Sequence, residues 1–380
     1  MRLGWGTQRG AGMMKFRAKM TVENRVSGTY REIMATPIYE FAHTPRTESA
    51  TTAKVLPVRD ARQAPTVGVI YNPRSYRNQG ADFDCGICPH VHIAQPRARA
   101  QLPEALAEFV ERGIDLLVIN GGDGTVRDVL TCGQAIFGDN WPAIAVLPKG
   151  KTNALTVDLG VPNDWTLQDA IDALDHGGHT WRRPMIVSSR EDGGRAADTP
   201  KVAGFILGAG SFTKAIQAGQ DAHKLGAFNS MVVAVTGLWA LFQSLFASRK
   251  NPWRKGAPMR IRLGAAEAPM AHSGHGDPEM RQLLFASTLE RLPAGIRPFG
   301  PLRKGLKLVA VDQISRRATA LVPLVLMGKL SHGLRERGIH QIAATQFSLS
   351  IGDQFIMDGE AFPAGDYLVE QGPELAFVTP

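Results

Sequence analysis

The chain has 380 residues, which exceeds the length at which one hydrophobic core stays efficient, so two domains are expected. With 44% hydrophobic and 21% charged residues, its composition is that of a soluble globular protein rather than a disordered one. The net charge of +8 predicts attraction to an anion: a nucleotide, a nucleic acid or an acidic membrane surface. Three cysteines do not make a disulfide framework and favour a reducing compartment.

Residues 1–62 are interpreted as a basic, mobile extension or as the product of an upstream start codon. The first 20 residues contain five cations and no acid. Because no apolar segment follows them, a secretory signal is not expected.

Short apolar strands alternate with helices over residues 63–180. Strands are predicted over TVGVIYN (66–72), IDLLVIN (114–120) and PAIAVLP (142–148). Helices are predicted over 102–113, 125–137, 153–159 and 164–177, with a loop from the first strand to about residue 101. This alternation predicts a Rossmann-like α/β domain with a parallel sheet and crossover helices.

Residues 181–354 have a different pattern, in which strand-like segments are separated by turns rich in glycine and proline. The strands are predicted at 182–189, 201–208, 258–264, 281–288, 305–313 and 341–351, with helices at 229–248 and 316–329. This pattern predicts a mainly antiparallel, β-sandwich-like second domain. Residues 355–380 form a C-terminal segment that is expected to return toward the cleft between the domains.

The segment Met231–Ala247 is the one candidate for a membrane span. It has 17 residues and includes Thr236, Gln243 and Ser244, whereas a spanning helix needs about 20 predominantly apolar residues. A buried or surface-docked helix is therefore favoured, and insertion into the membrane is the alternative.

The stretch VINGGDGTVRDVL (118–130) places three glycines and Asp123 between a strand and a helix. Such a turn directs successive backbone N–H groups toward one point at the positive end of a helix, which is how proteins cradle phosphates. Glycine permits close approach of a ligand, and Asp123 can reach a divalent ion that bridges phosphates.

Two other phosphate-binding motifs do not match in detail. A dinucleotide fingerprint that starts at Gly122 would need glycine at Arg127, and one that starts at Gly208 would need glycine at Thr213. The sequence GKT at 150–152 lacks the first glycine of a P-loop, which is replaced by Ala145. A glycine-rich turn without a ligand is the remaining alternative.

Five motifs accompany one another in the chain: NPRS (72–75), GGDGT (121–125), LPKGKTNAL (147–155), GAGSFTKAI (208–216) and MDGEAF (357–362). In order and spacing they resemble the diacylglycerol kinase catalytic family, which includes bacterial diacylglycerol kinases and sphingosine and ceramide kinases. The resemblance covers roughly residues 66–378. NAD kinases and phosphofructokinases share the glycine turn alone, so the conjunction with the Asp-Gly-Glu tripeptide is the specific signal.

The resemblance implies ATP and Mg²⁺ as cofactors, with Asp123 acting in catalysis and as the metal ligand. It implies that the nucleotide site is lined by Asn72, Ser75, Gly121, Gly122, Asp123, Gly124, Thr125, Gly150, Lys151, Thr152 and Asn153. It also implies that Asp358 and Glu360 act on the lipid hydroxyl, and Glu360 is preferred as the base. In an extended segment these two residues would face the same side, whereas a plain hairpin turn is the alternative for this tripeptide.

The sequence departs from the family at several positions. Tyr76 and Lys151 replace a usual Gly and Thr, and Ala154 stands where Asp is common. Lys151 is expected either to pair with a phosphate or to point into solvent. Lys304 precedes Gly305 where bacterial members often have the Asp of a second, structural Mg²⁺ site, so only the nucleotide-bound metal is expected.

Two further clusters have weaker signals. Cys85, Cys88, His90 and His92 resemble half of a zinc site, but no second pair follows, and an ordinary loop is favoured. Cys132 is interpreted as a core residue in a helix. The basic run SRKNPWRKGAPMRIR (248–262), with Trp253 in its middle, is either a solvated loop or the face that docks on an anionic bilayer.

The sequence therefore predicts an ATP-dependent kinase of diacylglycerol or of a sphingoid or ceramide lipid, as in phospholipid biosynthesis. A soluble-metabolite kinase related to NAD kinase and a non-catalytic lipid-binding homologue are the alternatives. The expected location is cytoplasmic and peripheral at the inner face of the membrane, where the lipid substrate lies. No nucleic-acid partner is expected because no recognition module is present. The oligomeric state is open, with a homodimer as one option.

Overall fold

The computed structural model describes residues 64–78, 89–190, 200–214, 252–330 and 332–380. The predicted extension 1–62 and the predicted helix 229–248 lie outside these residues. The first part of the chain contains β1 (Val67–Tyr71), β2 (Val91–Ala94), α1 (Leu102–Glu111), β3 (Leu116–Gly121), α2 (Asp123–Phe137), β4 (Ala143–Pro148), α3 (Ala154–Leu159), α4 (Leu167–His176) and β5 (Gly178–Arg182).

The second part of the chain consists mainly of strands. Its elements are β6 (Met185–Ser189), β7 (Lys201–Gly204), β8 (Ile206–Gly210), α5 (Pro252–Lys255), β9 (Ala257–Leu263), β10 (Ala268–Pro269), β11 (Met280–Arg281), β12 (Leu283–Ser287), β13 (Leu306–Val311), α6 (Arg316–Leu326), β14 (Ile339–Ala344), β15 (Gln346–Ile351), β16 (Phe355–Met357), β17 (Glu360–Phe362), β18 (Gly365–Gln371) and β19 (Leu375–Thr379).

The first sheet has six strands in the order β2-β1-β3-β4-β19-β5. Its strands pair in parallel except for β5, which is antiparallel to β19. Every residue of β1 and β3 is buried, as is typical of parallel strands covered on both faces. The predicted parallel α/β fold is confirmed.

Two antiparallel sheets form the second part. One has the order β10-β9-β15-β18-β6-β7, with β11 beside β9, and the other has the order β14-β13-β12-β8-β16-β17. Residues from both sheets, including Val187, Leu284, Phe347 and Phe355, form one buried cluster between them. The predicted antiparallel second part is confirmed.

The last strand of the chain, β19, lies in the first sheet between β4 and β5. The segment 355–380 therefore begins in the second part, as β16 and β17, and ends in the first. A second link joins the two parts, since the amide of Ala203 in β7 donates to Thr131 Oγ1 of α2 at 3.0 Å. The domain boundaries near 180 and 354 stay predictions.

Several elements differ from the sequence-based prediction. Strand β2 lies within the stretch predicted as a loop, because four residues with partly exposed side chains give too short a pattern to recognise. The run 341–351 is two strands rather than one, since β14 and β15 are separated by Thr345 and belong to different sheets. Among the described residues, no helix is long and apolar enough to cross a membrane.

Candidate functional site

The carboxyl ends of β1, β3 and β4 bring three of the predicted turns to one edge of the first sheet. Asn72, directly after β1, donates from Nδ2 to Thr125 Oγ1 in the first turn of α2 at 2.8 Å. Lys149, directly after β4, donates its amide to Gly121 O at 3.3 Å and accepts from the amide of Arg77 at 3.0 Å. Parallel strands place their carboxyl ends together, and ligands of open α/β sheets bind there.

The glycine turn and the turn after β4 touch backbone to backbone. A Cβ on Gly122 would lie 2.7 Å from Gly150 Cα, and a Cβ on Gly150 would lie 2.6 Å from Gly122 Cα. Real Cβ atoms do not approach a backbone atom so closely, so both positions require glycine. The two loops predicted to hold phosphates are thus packed as one unit.

Replacing Gly122 with Ala is expected to lower the free energy of unfolding by about 1–3 kcal/mol, because a rigid backbone faces the new methyl group. Gly124→Ala is the matched control two residues away, since its nearest neighbour would be Arg127 Nη2 at 3.8 Å. That helical change should be neutral or stabilising by up to about 1 kcal/mol. Urea denaturation compares the two, and equal effects would contradict the close packing.

Asn153 organises the loop after β4 from a left-handed conformation, with φ of 51°. Its Oδ1 accepts from the amide of Gly150 at 2.7 Å, and its Nδ2 donates to Gly150 O at 3.1 Å. Asn tolerates this backbone conformation better than most residues. Lys151 and Thr152 are exposed in the same loop.

Two departures from the family pattern meet in space. The Lys151 ammonium lies 5.8 Å from the centroid of the Tyr76 ring, within the range of a cation–π contact. Both side chains are exposed. Whether Lys151 pairs with a phosphate stays a prediction.

Sequence reasoning did not identify Asn78, which supports this edge from beneath. Its Nδ2 donates to Asn120 Oδ1 at 2.6 Å and to Asn72 O at 2.9 Å. Asn78, Asn120 and the predicted site residue Ser75 are buried. No repeated spacing connects Asn78 to a strand end, so the sequence holds no signal for this role.

Asp123 begins α2 and points toward the start of α3. The amide of Leu155 donates to Asp123 Oδ1 at 3.4 Å. Burial raises the pKa of this carboxyl above its usual range, and the amides of residues 153–155 oppose that shift. The carboxylate is therefore desolvated and only partly satisfied by the protein.

The Asp-Gly-Glu tripeptide is a hairpin turn, so the prediction of an extended segment is wrong. Strand β16 ends at Met357 and β17 starts at Glu360, while Asp358 and Gly359 have φ of 44° and 83°. The positive φ values turn the chain, and the two acidic side chains consequently have different partners. The hairpin alternative correctly describes the backbone, but both carboxylates remain close to α2.

Asp358 accepts two backbone hydrogen bonds and is close to Asp123. The amides of Phe205 and Ile206 donate to its Oδ2 and Oδ1, each at 2.9 Å. Burial, followed by the negative charge of Asp123, raises the pKa of Asp358 to about 7. The two carboxyl groups thus lie within electrostatic range of each other at the edge of the glycine turn.

Glu360 is held by two arginines. Arg127 Nη2 donates to Glu360 Oε2, and Arg99 Nη2 lies 3.1 Å from both carboxylate oxygens. Asp128 completes the cluster, with Oδ1 2.9 Å from Arg127 Nη2 and Oδ2 3.1 Å from Arg99 Nε. Arg127 is 2% exposed and Glu360 is 8% exposed, so this is a buried charge network.

Neither arginine was identified from the sequence. Arg127 stands beside Asp128 in a helix, which is the pattern of a solvated pair, and Arg99 lies in a 3₁₀ turn before α1. Arg127 Nη1 also approaches the carbonyl oxygens of Met357 and Asp358 at 3.4 Å each. The arginine therefore joins the glycine-turn helix to the acidic hairpin.

The residues of this edge fit a nucleotide-bound Mg²⁺. Among the described residues no group of three or more His, Cys, Asp or Glu side chains is placed to hold a metal. Mg²⁺, however, is usually bound by one or two carboxylates together with substrate phosphates and water. Asp123 offers one such carboxylate at this edge.

At the turn where the family often binds a structural Mg²⁺, this chain has a buried cation of its own. Lys307 is 1% exposed, and its ammonium donates to Gly305 O at 2.9 Å. Burial lowers the pKa of Lys307 to about 8. The expectation of no second metal stays a prediction, and Lys307 supplies a reason for it in addition to Lys304.

Of the cysteines and histidines singled out in the sequence, the structure describes His90, His92 and Cys132. Cys85 and Cys88 lie outside the described residues. Cys132 is buried in α2, as predicted, and burial raises its pKa to about 12. His92 Nδ1 lies 3.2 Å from Nη1 of Arg112.

The basic run proposed as a docking face has cations that are already engaged. Arg249 and Lys250 lie outside the described residues, and Arg254 is buried. Arg260 pairs with Glu279 at 2.5 Å, and Arg262 lies 3.5 Å from Glu267. Lys255 is exposed and pairs with no acid that the structure describes, so the described part of this run keeps one exposed cation outside an ion pair.

Comparison with known proteins agrees with the motifs. The model of the diacylglycerol kinase catalytic domain matches residues 66–182. Over 81 residues the chain is 33% identical to "Probable lipid kinase YegS" of Escherichia coli O6:K15:H31 (strain 536 / UPEC), covering 20% of this chain and 25% of that protein. It is 30% identical over 79 residues to "Probable lipid kinase YegS-like" of Citrobacter koseri, covering 21% and 26%. The matched part thus spans about a quarter of the length of these relatives.

Solved structures share the fold over most of the chain. A diacylglycerol kinase from Bacillus anthracis str. Sterne aligns with a TM-score of 0.50 and 16% identity, covering 83% of this chain and 97% of that one. Another structure from the same strain aligns with a TM-score of 0.53, also at 16% identity and with the same coverage. The predicted resemblance is confirmed: residues 66–182 match the diacylglycerol kinase catalytic domain, and the fold is shared over most of the chain.

Proposed function

We propose that this chain is an ATP- and Mg²⁺-dependent lipid kinase, which transfers the γ-phosphoryl group to a hydroxyl of diacylglycerol or of a sphingoid or ceramide lipid. The observation that carries the proposal is the 3.4 Å approach of Arg127 Nη1, in the helix that starts at the glycine turn, to Asp358 O in the acidic hairpin. This contact brings Asp358 within the electrostatic range of Asp123. A phosphate-holding turn and a group that can accept a proton are the two parts that phosphoryl transfer requires side by side.

The nucleotide phosphates would be held by the packed pair of turns around Gly122 and Gly150. Asn72 and Asn153 fix the shapes of the neighbouring loops. Asp123 would hold Mg²⁺, which would neutralise charge on the phosphates when bound. The lipid hydroxyl would lose its proton to the Asp358 carboxylate as its oxygen bonds to the γ-phosphorus and the bond to ADP breaks.

Asp358 is better suited than Glu360 to be the base, although the sequence alone favours Glu360. Both Glu360 oxygens already accept from guanidinium groups, so its charge is compensated. Asp358 accepts only from neutral backbone amides, and each of its oxygens keeps a second lone pair. Its raised pKa, about 7, suits a general base at neutral pH.

The test is incubation of the purified full chain with labelled ATP, Mg²⁺ and separate acceptors: diacylglycerol, sphingosine and ceramide in mixed micelles, and NAD in solution. We expect label in at least one lipid, no label in NAD, and loss of transfer in Asp123→Ala. Phosphorylation of NAD alone would support the soluble-metabolite kinase. Nucleotide-independent lipid binding without transfer to any acceptor would support the non-catalytic homologue.

A further inference from the structure

Four large apolar side chains are exposed together at the end of α6. Leu324, Leu326 and Met327 are 39%, 36% and 49% exposed, and Ile296 is 38% exposed. The amide of Arg297 donates to Leu326 O at 2.6 Å, so the loop with Ile296 lies against this helix end. We call these four residues the α6 tip.

The core does not need the apolar residues of the α6 tip. Helix α6 buries Ala318 and Val325 in the core shared with the first sheet. In a helix of 3.6 residues per turn, Leu324 and Leu326 lie about 100° to either side of Val325, so both leave the face that packs on the core. Nine large apolar side chains are exposed among the described residues, and four of them are concentrated here. Such concentration on a surface marks an interaction site.

Two exposed cations lie beside the α6 tip in the sequence: Arg297 follows Ile296, and Lys329 is two residues after Met327. Arg297 and Lys329 flank the tip, and neither forms an ion pair with any residue that the structure describes. The apolar surface is therefore bordered by two exposed cations that pair with no acid in the described part of the chain.

We propose that the α6 tip is the surface through which this chain docks on a bilayer with anionic headgroups. Apolar side chains bordered by cations suit the boundary between acyl chains and phosphates. A second copy of the chain fits less well, because a two-fold contact would bring the cation-bordered patches of both copies together. Docking itself does not depend on the proposed kinase activity.

An aromatic row connects the α6 tip to the acidic hairpin. Phe299, three residues after Ile296, stacks on Phe285 with centroids 5.5 Å apart, and Phe285 lies 5.3 Å from Phe212. Phe212 is two residues after the end of β8, and β8 pairs with β16, which ends just before Asp358. The row of phenylalanine rings would thus connect a bilayer at the α6 tip with β16, the strand that precedes Asp358.

The test is sedimentation with vesicles in the absence of ATP. Wild-type protein should sediment with vesicles of phosphatidylcholine and phosphatidylglycerol and only weakly with phosphatidylcholine alone. The double substitution Leu326→Ser and Met327→Ser should weaken binding at least about tenfold, because two apolar side chains no longer enter the bilayer. Arg297→Gln with Lys329→Gln should remove the preference for the anionic lipid.

Val110→Ser is the control, since Val110 on α1 is similarly exposed. It should change neither the strength of vesicle binding nor the preference for the anionic lipid.

Unchanged vesicle binding in the Leu326→Ser, Met327→Ser protein would overturn the proposal. So would a loss of self-association in that protein, measured by size-exclusion chromatography, without a loss of vesicle binding. Where the kinase reaction is detected, transfer to a dispersed short-chain diacylglycerol should be unchanged in this variant, and transfer to vesicle-bound diacylglycerol should fall. If no kinase reaction is detected at all, the proposed function fails while vesicle binding still tests the tip.

Discussion

Asp358→Asn is expected to lower kcat for phosphoryl transfer by roughly 10²- to 10⁴-fold, the contribution typical of a general base. The amide cannot accept the proton of the lipid hydroxyl. In the wild-type protein, kcat/KM should rise as the pH increases through about 7 and then level off, because this ratio reports the pKa values of the free enzyme. The reason is that burial and the charge of Asp123 raise the pKa of Asp358 to about 7, so the carboxylate predominates only above that value.

Steady-state kinetics across the neutral pH range measure both effects. Asp353→Asn is the matched control, since Asp353 is a nearby acid that is partly exposed and lies 3.9 Å from Lys214. It should leave kcat and the pH profile unchanged. Because the amides of Phe205 and Ile206 lose a carboxylate partner in Asp358→Asn, thermal unfolding must show that this variant is folded. An inactive Glu360→Gln beside an active Asp358→Asn would instead make Glu360 the base.

The sequence predicts the nucleotide edge because its signals are local. The fully buried strands β1 and β3 are continuous apolar runs. Each leads into a turn with a recognisable motif, NPRS after β1 and GGDGT at the end of β3. Parallel pairing then brings the turns together without further information. Asn78 escapes prediction because its contacts with Asn72 and Asn120 depend on the fold of a turn rather than on a periodic pattern.

The acidic hairpin could not be predicted in detail because tertiary contacts decide its shape. A positive φ at Asp358 is unfavourable for a residue with a Cβ. It is held there by two amides from the turn between β7 and β8, more than 150 residues earlier in the chain. The sequence identifies both carboxylates as candidate catalytic groups. Only the folded contacts show that the charge of Glu360 is balanced by arginines, whereas Asp358 accepts from backbone amides.

The fold also explains why the hairpin and the glycine turn stay together. Strand β16 is fixed to β8 in the second part, and α2 is fixed to the first sheet. Arg127 spans between them, with contacts to Glu360 and to the carbonyl oxygens of Met357 and Asp358. The buried guanidinium group is thus one of the contacts that set the position of Asp358 relative to Asp123, beside the hydrogen bond from Ala203 to Thr131.

Arg127→Met is accordingly expected to lower the free energy of unfolding by about 3 kcal/mol, at the lower end of the range for breaking a buried ion pair. The change leaves the Glu360 carboxylate buried with Arg99, which is half-buried, as its remaining cation. Adding Glu360→Gln should recover more than half of this loss, since no unpaired charge is then buried. Urea denaturation of the two variants and the wild type measures both values.

Arg112→Met provides the control, because Arg112 pairs with Glu108 at 2.6 Å where both side chains are largely exposed. Its effect should not exceed about 0.5 kcal/mol, as is usual for exposed pairs on a helix. If Arg127→Met is no more destabilising than Arg112→Met, the guanidinium group does not hold the hairpin in place. If Glu360→Gln fails to restore stability, the loss arises from packing around α2 rather than from an uncompensated charge. The hypothesis that the Arg127–Glu360 ion pair holds the hairpin on α2 is then wrong.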